Sequence, residues 1–276
     1  MVAAGQIKSV RAAALKVSRK NIYRVSKLDK KDEMLKEEIK KVHKIHKAYG
    51  HRRVAWELGI NHKRALRVMN KFDLKPPRRK IKHFCTKSTD NNHYLNLVKD
   101  IMQKVDLNKL KPHQIWCSDV SYLKFQGKFW YLATIEDLAT RQVLAAQVGK
   151  YHDSQLVLTT LKQSMEKAIP EIFHCDQGTE FMAKVCTDYL EKRGITISVS
   201  AKASPWENGY LESFFGRFKD EFGDFNRFET IGELIEEIYG QIRYYNFERR
   251  HYAFKLPPAV NAGQKYSDYC LQKRGT

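Results

Sequence analysis

Pro76-Pro77-Arg78-Arg79-Lys80 divides the chain into two stretches of different hydrophobic rhythm, and no single helix or strand can run across it. Before it, apolar residues recur at helical spacing; after it, runs rich in β-branched and aromatic residues alternate with helical ones. Charge changes near the same place. Residues 1–90 hold 26 of the 50 basic residues and only 8 of the 31 acidic ones, so nearly all of the formal +19 lies there. Such a gradient predicts that the amino-terminal part meets a polyanion while the balanced remainder does something else.

A chain of 276 residues, 42% of them apolar, buries a real core, which excludes fibrous and wholly disordered classes. It holds no run of eighteen apolar residues, and its basic start lacks the apolar core of a signal peptide. The expectation is a protein of the cytoplasm with no membrane partner. Five cysteines, an odd number with no CxxC pair, predict reduced thiols. His43 and His46 have no cysteine pair near them with which to build a zinc site.

Residues 1–80 read as a basic helical DNA-binding region with helix-turn-helix units at about 8–28 and 52–72. In the first, Ser18 caps a stretch that carries Arg19 and Lys20. A charged helix with Leu35, Ile39, Val42, Ile45 and Tyr49 on one stripe follows and ends at Gly50. The second unit begins at Arg52 and Arg53, with Val54, Ala55 and Leu58 as its stripe, Leu58-Gly59-Ile60 as the turn and Asn61 as the next cap. There Ala65, Leu66, Met69 and Phe72 share a face while Lys63, Arg64, Arg67 and Lys71 project elsewhere, as a helix in a DNA groove requires. One basic helix is as readily a solvated face; two in tandem decide for double-stranded DNA. Arg78, Arg79 and Lys80 extend the basic surface into a linker over 81–112.

Three β-rich runs, Ile115 to Phe125, Phe129 to Glu136 and Gln142 to Val148, are parted by turn residues and form a meander. A helix (154–168), a strand (171–174), a helix (181–192, closed by Gly194) and a strand (195–199) follow. That order implies an α/β core over 113–262, a five-stranded mixed sheet with flanking helices, behind the all-α region. Ser204-Pro205-Trp206-Glu207 is a capping box that opens a helix whose Leu211, Phe214, Phe215, Phe218 and Phe222 form an apolar stripe. A last helix covers 230–246, and residues 263–276 form a tail.

Three acids stand where a sheet-based metal site needs them. Asp119 lies inside the first strand, where a charge is costly unless it is paired or metal-bound. Asp176 ends the fourth strand, and ligand sites of open sheets gather at such ends. Glu212 flanks the apolar stripe of its helix, 35 residues beyond Asp176. Converging carboxylates need cations, and oxygen-only ligands select Mg²⁺ or Mn²⁺. Two ions roughly 3.5–4 Å apart would clamp the attacking and leaving oxygens of a phosphodiester. Lys219, two helical turns after Glu212, would meet the neighbouring phosphate, and Gly216 between them leaves that surface low.

The words Trp116-Cys117-Ser118-Asp119-Val120-Ser121-Tyr122, His174-Cys175-Asp176-Gln177-Gly178-Thr179-Glu180-Phe181, Ser204 through Lys219, and Tyr245-Asn246-Phe247-Glu248-Arg249-Arg250-His251 keep order and spacing over about 45–262. They resemble bacterial insertion-sequence transposases with a retroviral-integrase-type core, whose catalytic protein is the second of two overlapping reading frames. The resemblance implies a ribonuclease-H-like fold and an Asp-Asp-Glu triad at Asp119, Asp176 and Glu212. It further implies metal-dependent strand cleavage and transfer at element ends, a homo-oligomer, and a separate first-frame helix-turn-helix protein as partner. Glu207 and Cys175 depart from the aspartate and serine common in relatives. A DNA-binding relative without turnover, and a nuclease on the same fold, are the competing readings.

Overall fold

The computed structural model describes residues 13–14, 27–77, 94–104, 109–166, 168–200 and 209–274, and of 104, 209–212 and 271–274 the backbone alone. The chain forms two compact units, 1–76 and 77–276.

The described part of the first unit is three helices, α1 (Lys27–Ile45), α2 (His51–Leu58) and α3 (His62–Lys71). Gly59 closes α2 in the left-handed conformation at φ 63°, and the Asn61 side chain caps α3 by accepting the Lys63 amide. Leu35, Ile39 and Val42 of α1 pack with Tyr49, Val54, Ala55, Ala65, Val68 and Met69. Two members of the expected stripes do not join this core: Ile45 and Leu66 are exposed, and Val68 takes the inward position because it lies three residues after Ala65. Of the helix-turn-helix unit expected at 8–28, all but 13–14 and 27–28 lies outside the described residues.

The second unit is built on five strands, β1 (Ile115–Phe125), β2 (Lys128–Asp137), β3 (Val143–Gly149), β4 (Ile172–Cys175) and β5 (Thr196–Val199), in the order β3-β2-β1-β4-β5. β1 to β3 pair antiparallel, and β4 and β5 add in parallel. This is the five-stranded mixed sheet that the sequence implies. Side chains alternate between its faces. On one face Trp116, Val120, Ala133, Ile135 and Phe173 pack against α5 (Ser154–Met165) and α7 (Lys184–Glu191), with the one-turn α6 (Thr179–Met182) beside them. On the other, Leu123, Phe125 and Leu132 pack against Phe214, Phe215, Phe218 and Phe222 of α8 (Gly209–Phe222) and against Leu234, Ile238 and Ile242 of α9 (Ile231–Phe247).

Three local differences from expectation have physical causes. The single helix expected over 181–192 is two, α6 and α7, because Ala183 is extended (φ −60°, ψ 135°). Within the expected linker, α4 (Leu97–Lys104) forms because Val98 buries against Leu110, Ile115 and Leu138 while the Leu97 amide donates to Ser198 Oγ at 3.0 Å. The expected tail belongs to α10 (Pro258–Arg274), which starts on proline and buries Ala262.

Candidate active site

β1 and β4 pair as Ile115 with Ile172, Trp116 with Phe173 and Cys117 with His174. The last of these pairs lies two residues before Asp119 and two before Asp176, which follows the end of β4. Trp116 and Val120 belong to the core of one face, so alternation turns Asp119 to the other, the face that α8 covers. Both aspartates are partly exposed. Asp119 Oδ1 accepts the Val120 amide at 2.7 Å, and Asp176 Oδ1 accepts the Gly178 amide at 2.9 Å. Each carboxylate is thus oriented by backbone next to its own strand.

Glu212 lies in α8, the helix whose phenylalanines pack on that same face; its side chain, like the capping box at 204–207, is outside the described residues. Lys219, on the same helix, is partly exposed. A Cβ at Gly216 would meet nothing within 4 Å, so the space over this position is open. Among the described residues, no three His, Cys, Asp or Glu side chains gather to hold an ion. The two described carboxylates fit a hard divalent cation by donor type: they offer oxygen alone, Asp119 from within β1 and Asp176 from just past the end of the parallel β4.

The other acids near the sheet are engaged in the fold. Asp137 accepts from Ala139 N, His113 N and Thr140 Oγ1 at 3.0, 3.2 and 2.9 Å. Glu136 is buried, and that burial pushes its carboxyl up to about 8 against the opposing pull of Arg141, 3.7 Å away. Glu221 pairs with Arg249. The thiols are free where described, and burial pushes Cys117 up to about 12 and Cys175 well above its usual range, which makes them poor nucleophiles.

Sequence reasoning missed two groups. Asn246 and Arg249 sit in a quoted motif and act in the core: Asn246 accepts from Val143 N and donates to Val143 O at 3.0 and 2.9 Å, and Arg249 is 1% exposed. A polar Asn246 among the apolar inner positions of α9, and an arginine two residues past its end, were the available signal. His152 and Glu180 form a pair at 2.8 Å beside the strand ends; Glu180 falls within a quoted motif, but nothing in the sequence ties it to a histidine 28 residues earlier. Burial first, then the neighbouring Tyr131, Glu180, Asp176 and Asp119, push the Tyr122 phenol up, so negative charge gathers at this end of the sheet.

In the first unit the predicted DNA-contacting residues divide. Lys63 and Arg64 are exposed at the start of α3; Arg52 is exposed at the start of α2, with the Arg53 guanidinium 5.5 Å from the Tyr49 ring centre. Arg67 and Lys71 face α1 instead. Arg67 grips both Asp32 oxygens at 2.6 Å, and Lys71 reaches Asp29 and Asp32 at 2.5 and 3.0 Å. His43 Nε2 lies 3.0 Å from the Tyr49 carbonyl, and His46 stacks on the Tyr49 ring at 4.2 Å, so both histidines tie down the end of α1. Arg19, Lys20, Arg78, Arg79 and Lys80 lie outside the described residues.

Two integrase core domain family models match residues 109–205 and 193–258. The transposase for insertion sequence element IS904 of Lactococcus lactis is 31% identical over 83% of this chain and 92% of its own length. The putative transposase InsK of insertion sequence element IS150 from Escherichia coli is 28% identical over 88% of this chain and 87% of its own. Among solved structures, the simian T-cell lymphotropic virus intasome in complex with a PP2A regulatory subunit matches with a TM-score of 0.51 and 14% identity, over 81% of this chain and 74% of that one, a likeness of fold. The chain belongs to the bacterial insertion-sequence transposases with an integrase-type catalytic core.

Proposed function

We propose that this chain cleaves DNA at the ends of an insertion sequence and transfers the freed strand, using Asp119, Asp176 and Glu212 as ligands of two Mg²⁺ or Mn²⁺ ions. The observation that supports the reading is the parallel pairing of β1 with β4, which brings the strand of Asp119 beside the strand that Asp176 follows, in a sheet one face of which is covered by the helix of Glu212. Bound by such carboxylates, divalent ions supply an activated attacking oxygen and a stabilised leaving oxygen. The chain's own part is to hold the two aspartates on a sheet packed on both faces. Trp116 and Phe173, both buried, pin β1 to β4 next to the aspartates. Lys219 would meet the phosphate beside the one cut, and no serine or cysteine nucleophile is needed.

Lys63 and Arg64, with Arg52 and Arg53, would contact phosphates of the duplex, joined by Arg19, Lys20, Arg78, Arg79 and Lys80 from the basic segments around them. Phosphate contacts position the protein and make its affinity depend steeply on salt. The working form would be a homo-oligomer on element DNA in the bacterial cytoplasm, with a first-frame helix-turn-helix protein as a further partner. No helix among the described residues is long and apolar enough to cross a membrane.

The test is cleavage of a labelled element-end duplex with Mg²⁺. Asp119→Asn, Asp176→Asn and Glu212→Gln should each abolish nicking and strand transfer while leaving duplex affinity intact. Full activity of Asp176→Asn would remove the metal-site reading, and nicking without strand transfer by the unaltered chain would favour a nuclease.

A further inference from the structure

Glu180 lies in the first turn of the short α6 and is 9% exposed, yet among the described residues no lysine or arginine pairs with its carboxylate. Its partner is His152, with Nε2 2.8 Å from Oε1. The imidazole is itself held: it stacks on Tyr131 at 5.1 Å and 15°, and the Tyr122 ring lies 5.4 Å away at 54°. The carboxylate rests on Gly178, where an added Cβ would come within 2.6 to 2.8 Å of all three carboxyl atoms of Glu180. Gly178 is also the residue whose amide orients Asp176, at 2.9 Å. The contacts therefore run without a gap from the Tyr122 and Tyr131 rings to His152, Glu180, Gly178 and Asp176.

We infer that His152 is a positioning residue: by holding Glu180 down on Gly178, it fixes the turn that aims the Asp176 carboxylate at a divalent cation. This rests on the metal-site reading above. Mg²⁺ demands near-ideal octahedral geometry, whereas Ca²⁺ accepts irregular coordination. A brace of this kind acts on the choice between the two ions more than on the ability to bind a cation at all. Partners beyond the ligands matter at roughly 10- to 100-fold in metal affinity.

The experiment is calorimetric titration of the full chain with Mg²⁺ and, separately, with Ca²⁺, at a temperature where circular dichroism shows each variant folded. His152→Ala should weaken Mg²⁺ binding about tenfold and Ca²⁺ binding much less, so that the ratio of the two affinities falls. His152→Gln, which can still donate to Glu180, should restore the ratio, an effect that general destabilisation does not produce. If His152→Ala does not fold, Glu180→Gln carries the test and should lower the ratio in the same direction. An unchanged ratio in whichever variant is measured, while Asp176→Asn loses cation binding, overturns the brace and leaves the metal site standing. Cation binding that survives both Asp119→Asn and Asp176→Asn overturns the metal site and the brace with it.

Discussion

The Arg249 guanidinium holds Glu221 inside the core, with Nε 2.7 and 2.9 Å from the two carboxylate oxygens, and it ties the segment just past α9 to the last turn of α8. Arg249 is 1% exposed and Glu221 8%. Since α8 also carries Glu212, a pair deep in the core fixes the helix to which that residue belongs.

Removing one member of a buried pair strands the other charge in a poorly solvating environment. Arg249→Ala should therefore lower the unfolding free energy of the second unit by about 3–5 kcal/mol, read from denaturant melts. Replacing both residues by apolar ones, Arg249→Met with Glu221→Leu, should cost much less. A single variant as stable as the parent would show that the pair does not hold the helix.

In the first unit Lys63 and Arg64 are exposed at the start of α3, whereas Arg67 and Lys71 pair with acids of α1. Lys63→Ala with Arg64→Ala should weaken duplex binding at every sequence and reduce the slope of log affinity against log salt by about two. Arg67→Ala should instead lower the melting temperature of the unit, because it leaves a buried Asp32 without its two-point partner. Binding titrations over a salt series, set beside thermal melts, read both. An unaltered salt slope in the Lys63, Arg64 variant would place the duplex elsewhere.

The same aspartate sets an acid limit. Asp32 has no exposed surface, but what covers it are Arg67 and Lys71, whose side chains are 42% and 36% exposed. The hydrogen bond from Arg67 chiefly, opposed by desolvation and aided by Lys71, draws its carboxyl down from 3.8 to about 2. A group whose folded value is depressed stabilises above its unfolded value and loses that contribution as pH falls through the folded one. The first unit should thus lose stability between about pH 4 and pH 2, and Asp32→Asn should remove most of that dependence. Acid titration followed by circular dichroism checks it, and parallel curves for parent and variant would reject the assignment.

What was legible in the sequence follows from how local each cause is. Gly59 and Asn61 act within a turn of themselves, so the turn between α2 and α3 could be read directly. The extent of β1 was plain from its run of β-branched and aromatic residues. The phenylalanine stripe of α8 repeats at helical spacing, so its buried face was plain too. Register between β1 and β4 was not, because parallel strands pair across a long crossover and nothing in either strand specifies which residue sits level with which. Arg67 and Lys71 were unreadable for a related reason. A basic residue on a helix presents the same pattern whether its partner is a phosphate or an aspartate 35 or more positions earlier. The break at Ala183 had no glycine or proline to announce it, and α4 gains its order from Val98 packing beneath β1.

Glu136 provides a pH response of opposite sign. It lies across from Cys117 on the sheet, on the same face as Asp119, 2% exposed and 3.7 Å from Arg141. Burial, only partly countered by Arg141, raises its carboxyl from 4.5 to about 8. Between those values the folded chain binds a proton that the unfolded chain has released, so unfolding becomes easier as pH rises. The second unit should accordingly be more stable near pH 6 than near pH 9. Glu136→Gln, which keeps the shape and cannot ionise, should flatten that decline and be the more stable protein at the alkaline end. Melting both proteins across this interval isolates the one carboxyl, because every other titrating group is common to them. If the parent and the glutamine variant decline together, Glu136 is held ionised by its arginine, and the buried charge is compensated inside the fold.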